Sequence, residues 1–175
     1  PGVNSIQPKP YKVVKTQHVE DVGSEKSNFL EAVRLYDMGL LVEAEQLLEK
    51  INSKTNEEAL LLWAKIKADI GNLDVSEKLC NKVIASNRIN FEAHVLLSTV
   101  LTEQGKLKEA SKALKSSLFL DPDFSMGYFL LGNLAKQSGE LAEGKKHFQN
   151  ALKSLESVNP ELIVDETNGL TAARL

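Results

Sequence analysis

The residues able to do chemistry are few and scattered. Three histidines, His18, His94 and His147, and one thiol, Cys80, are the natural candidates for metal ligation or nucleophilic attack. They show none of the short Cys or His spacings that zinc sites use. His94 falls at a packing position of a helical stretch, and His147 on an outer face. Cys80 takes a core position, where a thiol behaves as a small inert hydrophobe. The regularly placed glycines lie a whole repeat apart, so they cannot form one phosphate-cradling loop. No nucleophile sits with a base in a recognisable motif. Lysine- and glutamate-rich strings such as Gly105 to Lys115 read as solvated helix faces. The expectation is no catalytic residue, no metal and no cofactor.

Composition points the same way. The chain has 175 residues, 42% hydrophobic and 26% charged, with a net charge of −3. That suits one helical domain or one short repeat array. It lacks the basic footprint of a nucleic-acid binder. A lone cysteine cannot form an internal disulfide. No apolar run reaches the roughly 20 residues that span a bilayer, and no signal peptide is visible. The expected setting is cytoplasmic, with neither nucleic acid nor membrane as partner. The start at Pro1-Gly2 and the stop at Leu175 suggest a piece of a longer protein.

The elements that position these residues follow from an internal repeat. Gly39-Leu40-Leu41-Val42-Glu43-Ala44, Gly71-Asn72-Leu73-Asp74-Val75-Ser76, Gly105-Lys106-Leu107-Lys108-Glu109-Ala110 and Gly139-Glu140-Leu141-Ala142-Glu143-Gly144 share one pattern. The glycines, at 39, 71, 105 and 139, are 32, 34 and 34 residues apart. Each ends one apolar-periodic stretch and precedes another. The small residue five places on (Ala44, Ser76, Ala110, Gly144) marks a close helix crossing. Leu48, Cys80, Leu114 and Phe148 follow on the same face, then Ile51, Val83, Ser117 and Ala151. On the preceding helix, Ala32, Ala64, Ser98 and Gly132 recur in register. Asp121-Pro122 marks a turn, after which Asp123 is expected to cap a helix. Helices are expected near 25–38, 41–52, 57–70, 73–86, 91–104, 107–119, 125–138 and 141–156. The first two repeats depart from the pattern: Lys67 takes an apolar place, and their linkers lack proline.

This pattern resembles the tetratricopeptide repeat, whose period is about 34. The resemblance implies an all-α fold: a right-handed α-solenoid of about four helix pairs plus a C-terminal extension. Residues 1–24 read as a linker or extended segment, 25–156 as the repeats, and 157–175 as an extension starting a further helix. In such a superhelix the first helix of each pair lines a concave groove. The groove positions are then Phe29, Val33 and Tyr36, then Leu61, Lys65 and Asp69. Val95, Thr99 and Thr102 follow, then Met126, Phe129, Asn133 and Lys136. The implied partner is a protein or peptide in that groove. Candidates within the chain's own protein are its N-terminal segment, through Tyr11, Val13 and Val14, or a catalytic domain. Phe29 and Val33 stand where some relatives carry the first lysine and asparagine of a carboxylate clamp, which disfavours a chaperone-tail receptor.

A second resemblance rests on the C-terminal end. Phe129-Leu130-Leu131-Gly132-Asn133-Leu134, His147-Phe148-Gln149-Asn150-Ala151-Leu152, an acidic spacer and Asn168-Gly169-Leu170-Thr171-Ala172-Ala173-Arg174-Leu175 follow one another. This order resembles the repeat region of CheR-type chemotaxis-receptor methyltransferases. Asn168 replaces an aspartate of that pattern and Ala173 a glycine. The resemblance implies an interaction domain attached to an S-adenosylmethionine-dependent enzyme of chemosensory signalling, with no catalytic residue in this chain. The alternative is a free-standing adaptor in secretion, pilus or chaperone assembly.

Overall fold

The computed structural model describes residues 17–51 and 56–158, with side chains from 24 to 157 within those ranges. Among the described residues there are eight α-helices and no strand. They are α1 (Gln17–Asp37), α2 (Leu41–Leu48), α3 (Glu57–Asp69), α4 (Leu73–Ser86), α5 (Phe91–Glu103), α6 (Leu107–Leu120), α7 (Ser125–Gln137) and α8 (Leu141–Val158). Consecutive helices pack on one another along the chain. The expected solenoid of four helix pairs is what forms.

Each pair closes through its glycine. Gly39, Gly71, Gly105 and Gly139 have φ between 74° and 80°, a left-handed conformation that costs a Cβ-bearing residue free energy. At the third pair, Lys106 N–H donates to the Leu101 carbonyl and Gly105 N–H to that of Thr102, both at 2.9 Å. Two carbonyls left open by the end of α5 are thereby satisfied. The same two bonds recur at the other three glycines. At the opposite ends, Asn56 and Asn90 cap α3 and α5 by accepting from the Ala59 and Ala93 amides at 2.9 Å.

The small residues sit at the crossings. Ala32, Ala44, Ala64, Ser76 and Ala110 are fully buried, and Ser98 nearly so. The Ser76 hydroxyl donates to the Ala64 carbonyl at 2.7 Å, so two backbones meet there. A Cβ on Gly144 would lie 3.1 Å from the Gly132 carbonyl oxygen. Leu48, Cys80, Leu114, Ile51, Val83, Ser117 and Ala151 are all buried as expected. Clusters run from pair to pair: Ala32 to Ile66 joins α1, α2 and α3, and Ala64 to Leu134 joins α3 through α7.

Three expectations need correction. Helix α1 starts at Gln17, so residues 17–24 are helix rather than linker. Helix α2 stops at Leu48, not 52. There the chain tightens into i to i−3 hydrogen bonds, Lys50 N–H to Leu47 and Ile51 N–H to Leu48, which tuck Ile51 into the core. Asp123 does not cap α7. Phe124 holds that position without a side-chain cap, while the Asp123 amide donates to the Asp121 carboxylate and its carbonyl accepts from Ser154. Phe148, at the matching place in α8, is half-buried. Tyr11 to Val14 and the string from Glu161 to Leu175 lie outside the described residues.

Candidate peptide-binding surface

The expected groove residues of α1 and α3 are largely tied into packing. Phe29, Val33 and Tyr36 are half-buried against the cluster of Ala32, Leu48 and Ile66. Leu61 packs on Leu60, Val83 and Ala93. The Tyr36 hydroxyl donates to the Asp69 carboxylate at 2.8 Å, linking the two helices. Burial, and then that carboxylate, push the phenol up to about 12. Lys65 is exposed.

Between α5 and α7 the surface opens into a cleft of about 290 Å³. It brings together three of the expected residues, Thr99, Thr102 and Asn133, with Ser98, Glu103, Leu130 and Gln137 at its sides and Leu114 and Leu134 beneath. Ser98 and Thr99 donate to the Val95 carbonyl at 2.7 and 3.3 Å, and Thr102 to that of Ser98 at 2.7 Å. These hydroxyls spend their protons on the helix and present oxygen lone pairs to the cleft. Asn133 and Gln137, one turn apart, each carry an amide that can both donate and accept. Such a lining can satisfy the N–H and C=O groups of an extended peptide. Val95 itself is half-buried behind it.

The remaining expected residues lie elsewhere. Met126 and Phe129, 54% and 42% exposed, share an apolar hollow of about 320 Å³ with Phe148, Leu152 and Leu155 of α8. The Phe129 and Phe148 rings are 5.7 Å apart. Lys136 borders a neighbouring depression with Leu141 and Gly144. Ser98, Glu103, Leu130 and Gln137 were missed as lining residues, although helical spacing from Thr99, Thr102 and Asn133 points to each of them.

Among the described residues, the chemistry-bearing side chains lie apart. Among the described residues no group of three His, Cys, Asp or Glu could hold a metal ion. Burial pushes the Cys80 thiol up to about 11, and it lowers the pKa of His147 despite Glu143 3.4 Å away. His94 Nε2 lies 3.0 Å from the Arg88 carbonyl. The side chain of His18 lies outside those described.

A sequence model of the tetratricopeptide repeat matches residues 127–154, most of α7 and α8. The fold superposes on a crystal structure of MamA with a TM-score of 0.74 at 22% identity, covering 79% of this chain and 82% of that one. The chain has a tetratricopeptide-repeat fold. The first such domain of Spaghetti (RPAP3), bound to the HSP90 peptide SRMEEVD, matches with a TM-score of 0.64 at 18% identity over 67% of this chain and 94% of that one. In sequence, the chain is 27% identical over 144 residues to a DnaJ homolog subfamily C member 7 homolog of Schizosaccharomyces pombe. That stretch is 78% of this chain and only 30% of that protein's length. Among the described residues no helix is long and apolar enough to cross a membrane.

The tetratricopeptide register also explains the odd lysine of the second pair. Lys67 Nζ makes an ion pair with the Glu45 carboxylate, both side chains largely buried. Trp63 Nε1–H donates to the same carboxylate at 2.9 Å. A cation in an apolar place is tolerated because α2 supplies its counter-charge.

Proposed function

We propose that this chain is a peptide-binding adaptor domain whose partner lies along the concave side, over Thr99, Thr102, Asn133 and Gln137. The observation that carries this reading is the α5–α7 cleft, whose hydroxyls and amides match the hydrogen-bonding needs of an extended backbone. Bound peptide in a similar fold, as in the RPAP3 domain, is consistent with it. Phe29 and Val33 leave the first pair without clamp chemistry, so recognition would centre on the third and fourth pairs. The test is selection of binders from a displayed library of random peptides. Thr99→Arg should then weaken the selected peptides by at least about tenfold, or about 1.4 kcal/mol, with helicity unchanged. Binders indifferent to Thr99→Arg and Asn133→Ala would refute the site.

The attached-methyltransferase reading is the runner-up. Its distinguishing string, Asn168 to Leu175, lies outside the described residues and beyond the stretch that the repeat model matches. On that reading a methyltransferase domain precedes this segment in the full-length protein, and calorimetry of this chain with S-adenosylmethionine shows no binding. The adaptor reading is preferred because it needs only the repeats.

A further inference from the structure

A second surface of the array has a different chemistry. A cleft of about 640 Å³ lies between the outer face of α6 and the turn joining α4 to α5. It shares no residue with the α5–α7 cleft. Along α6, Lys108, Lys112, Lys115 and Phe119 follow at i, i+4, i+7 and i+11, one stripe of a helix. The turn adds Arg88 and Ile89. Four cations line the cleft and no carboxylate does; Glu109, the one acidic residue of α6, is not among the lining residues. Phe119 is 85% exposed and Ile89 73%, an aromatic and an aliphatic side chain left open beside like charges. His94 holds the turn in place through the Arg88 carbonyl at 3.0 Å and is itself nine-tenths buried.

We propose that this surface docks an acidic peptide segment that carries one bulky apolar side chain. The spacing fits an extended strand. Lys108 and Lys112 are about 6 Å apart along the helix axis, close to the roughly 6.6 Å between alternate side chains of a strand. Carboxylates at alternate positions therefore meet successive lysines. One helical turn past Lys115, the segment's apolar side chain enters between Phe119 and Ile89. A short segment is favoured over a nucleic acid or an anionic bilayer by the overall charge. The whole chain carries −3, so an extended polyanion would be repelled beyond the four cations, whereas a short acidic segment meets the cations alone.

The probe is a fluorescent synthetic peptide in which glutamates alternate with serines and a phenylalanine closes one end, titrated with the full chain at low salt. Binding is expected, weakening as salt rises. Lys108→Glu with Lys112→Glu should reduce affinity at least about tenfold, since charge reversal replaces attraction by repulsion. Phe119→Ser should reduce it several-fold, as should replacing the peptide's phenylalanine by serine. Reversing Lys26 and Lys50, exposed and elsewhere, should change little, and so should Thr99→Arg, which separates this surface from the concave one. If the charge-reversed chain loses helicity, the Lys108→Ala, Lys112→Ala pair gives the same direction of change. The proposal is overturned if the peptide does not bind, if its glutamine version binds equally well, or if control reversals act as strongly. Binding of single-stranded DNA or phosphatidylserine vesicles in place of the peptide overturns it too.

Discussion

Cys80 shows how one buried atom sets a response to pH. Its thiol is kept protonated by burial, with a pKa of about 11 against an ordinary 9.0. Between those values the unfolded chain loses a proton that the folded chain keeps, so stability falls as pH rises through that window. Below pH 9 this contribution is fully present. Urea titrations across the window should show the fall, and Cys80→Ala should flatten it. The crossings give a second residue-scale expectation. Ala110 is fully buried where α5 and α6 meet, and Ala110→Leu should cost about 1–3 kcal/mol by overpacking. Lys50→Ala, on an exposed turn, should stay within about 0.5 kcal/mol. An unshifted melting temperature in the alanine-to-leucine variant would mean that the helices do not cross there.

Within a helix pair, the glycine turn is the joint. Gly105→Ala has open space for its Cβ, so the expected loss of about 1–2 kcal/mol is conformational and comes from the left-handed backbone. A thermal melt of the variant checks it; a gain in stability would show that the turn can rearrange. These joints are also why element boundaries were readable. Glycine followed by leucine marks both the end of one helix and the start of the next, and from α3 to α7 the ends fall within one residue of expectation. The errors lie where that punctuation is missing. Nothing in Gln17 to Ser24 marks a start except acidic residues, and the tight turn that ends α2 at Leu48 has no mark in the repeat pattern. Asp123 failed as a cap because its neighbour Asp121 already turns the chain.

At the scale of the molecule, the array is a chain of neighbours: helices pack within their own pair and on the adjoining one. Stability in such arrays is close to a sum of repeat and interface contributions. Damage should therefore stay local. A Cβ on Gly132 would meet the Phe148 ring at 2.5 Å, so Gly132→Val should loosen α7 and α8 first. Hydrogen exchange should then rise in 125–157 while α3 and α4 keep most of their protection; a uniform rise would indicate a single cooperative unit. Linearity also limits what can be read of a binding surface. Thr99 and Asn133 were reachable because they occupy first-helix positions. Leu118-Phe119-Leu120 reads as three equivalent apolar residues, yet Leu118 is 8% exposed and Phe119 85%. Residue type does not say which of them faces outward; the register from Ala110, Leu114 and Ser117 does, since it leaves Phe119 on the opposite stripe with Lys108, Lys112 and Lys115.

The contact of Trp63 with Glu45 makes the chain its own optical probe. Trp63 is the sole tryptophan, and its indole N–H donates to a carboxylate on the preceding pair. Intrinsic fluorescence therefore reports one seam, between the first and second pairs, not the chain as a whole. Burial works to raise the pKa of Glu45, but the hydrogen bonds from Lys67 and Trp63 outweigh it and hold it below the ordinary 4.5. The stabilisation from that carboxylate is present above the ordinary value and fades as pH falls through the lowered one. Acid titration should shift the emission maximum at a pH below 4.5, and Lys67→Met should move that shift upward. Emission and far-ultraviolet dichroism recorded in the same melt then separate two events: opening of the seam, seen only by the light from Trp63, and loss of helix throughout.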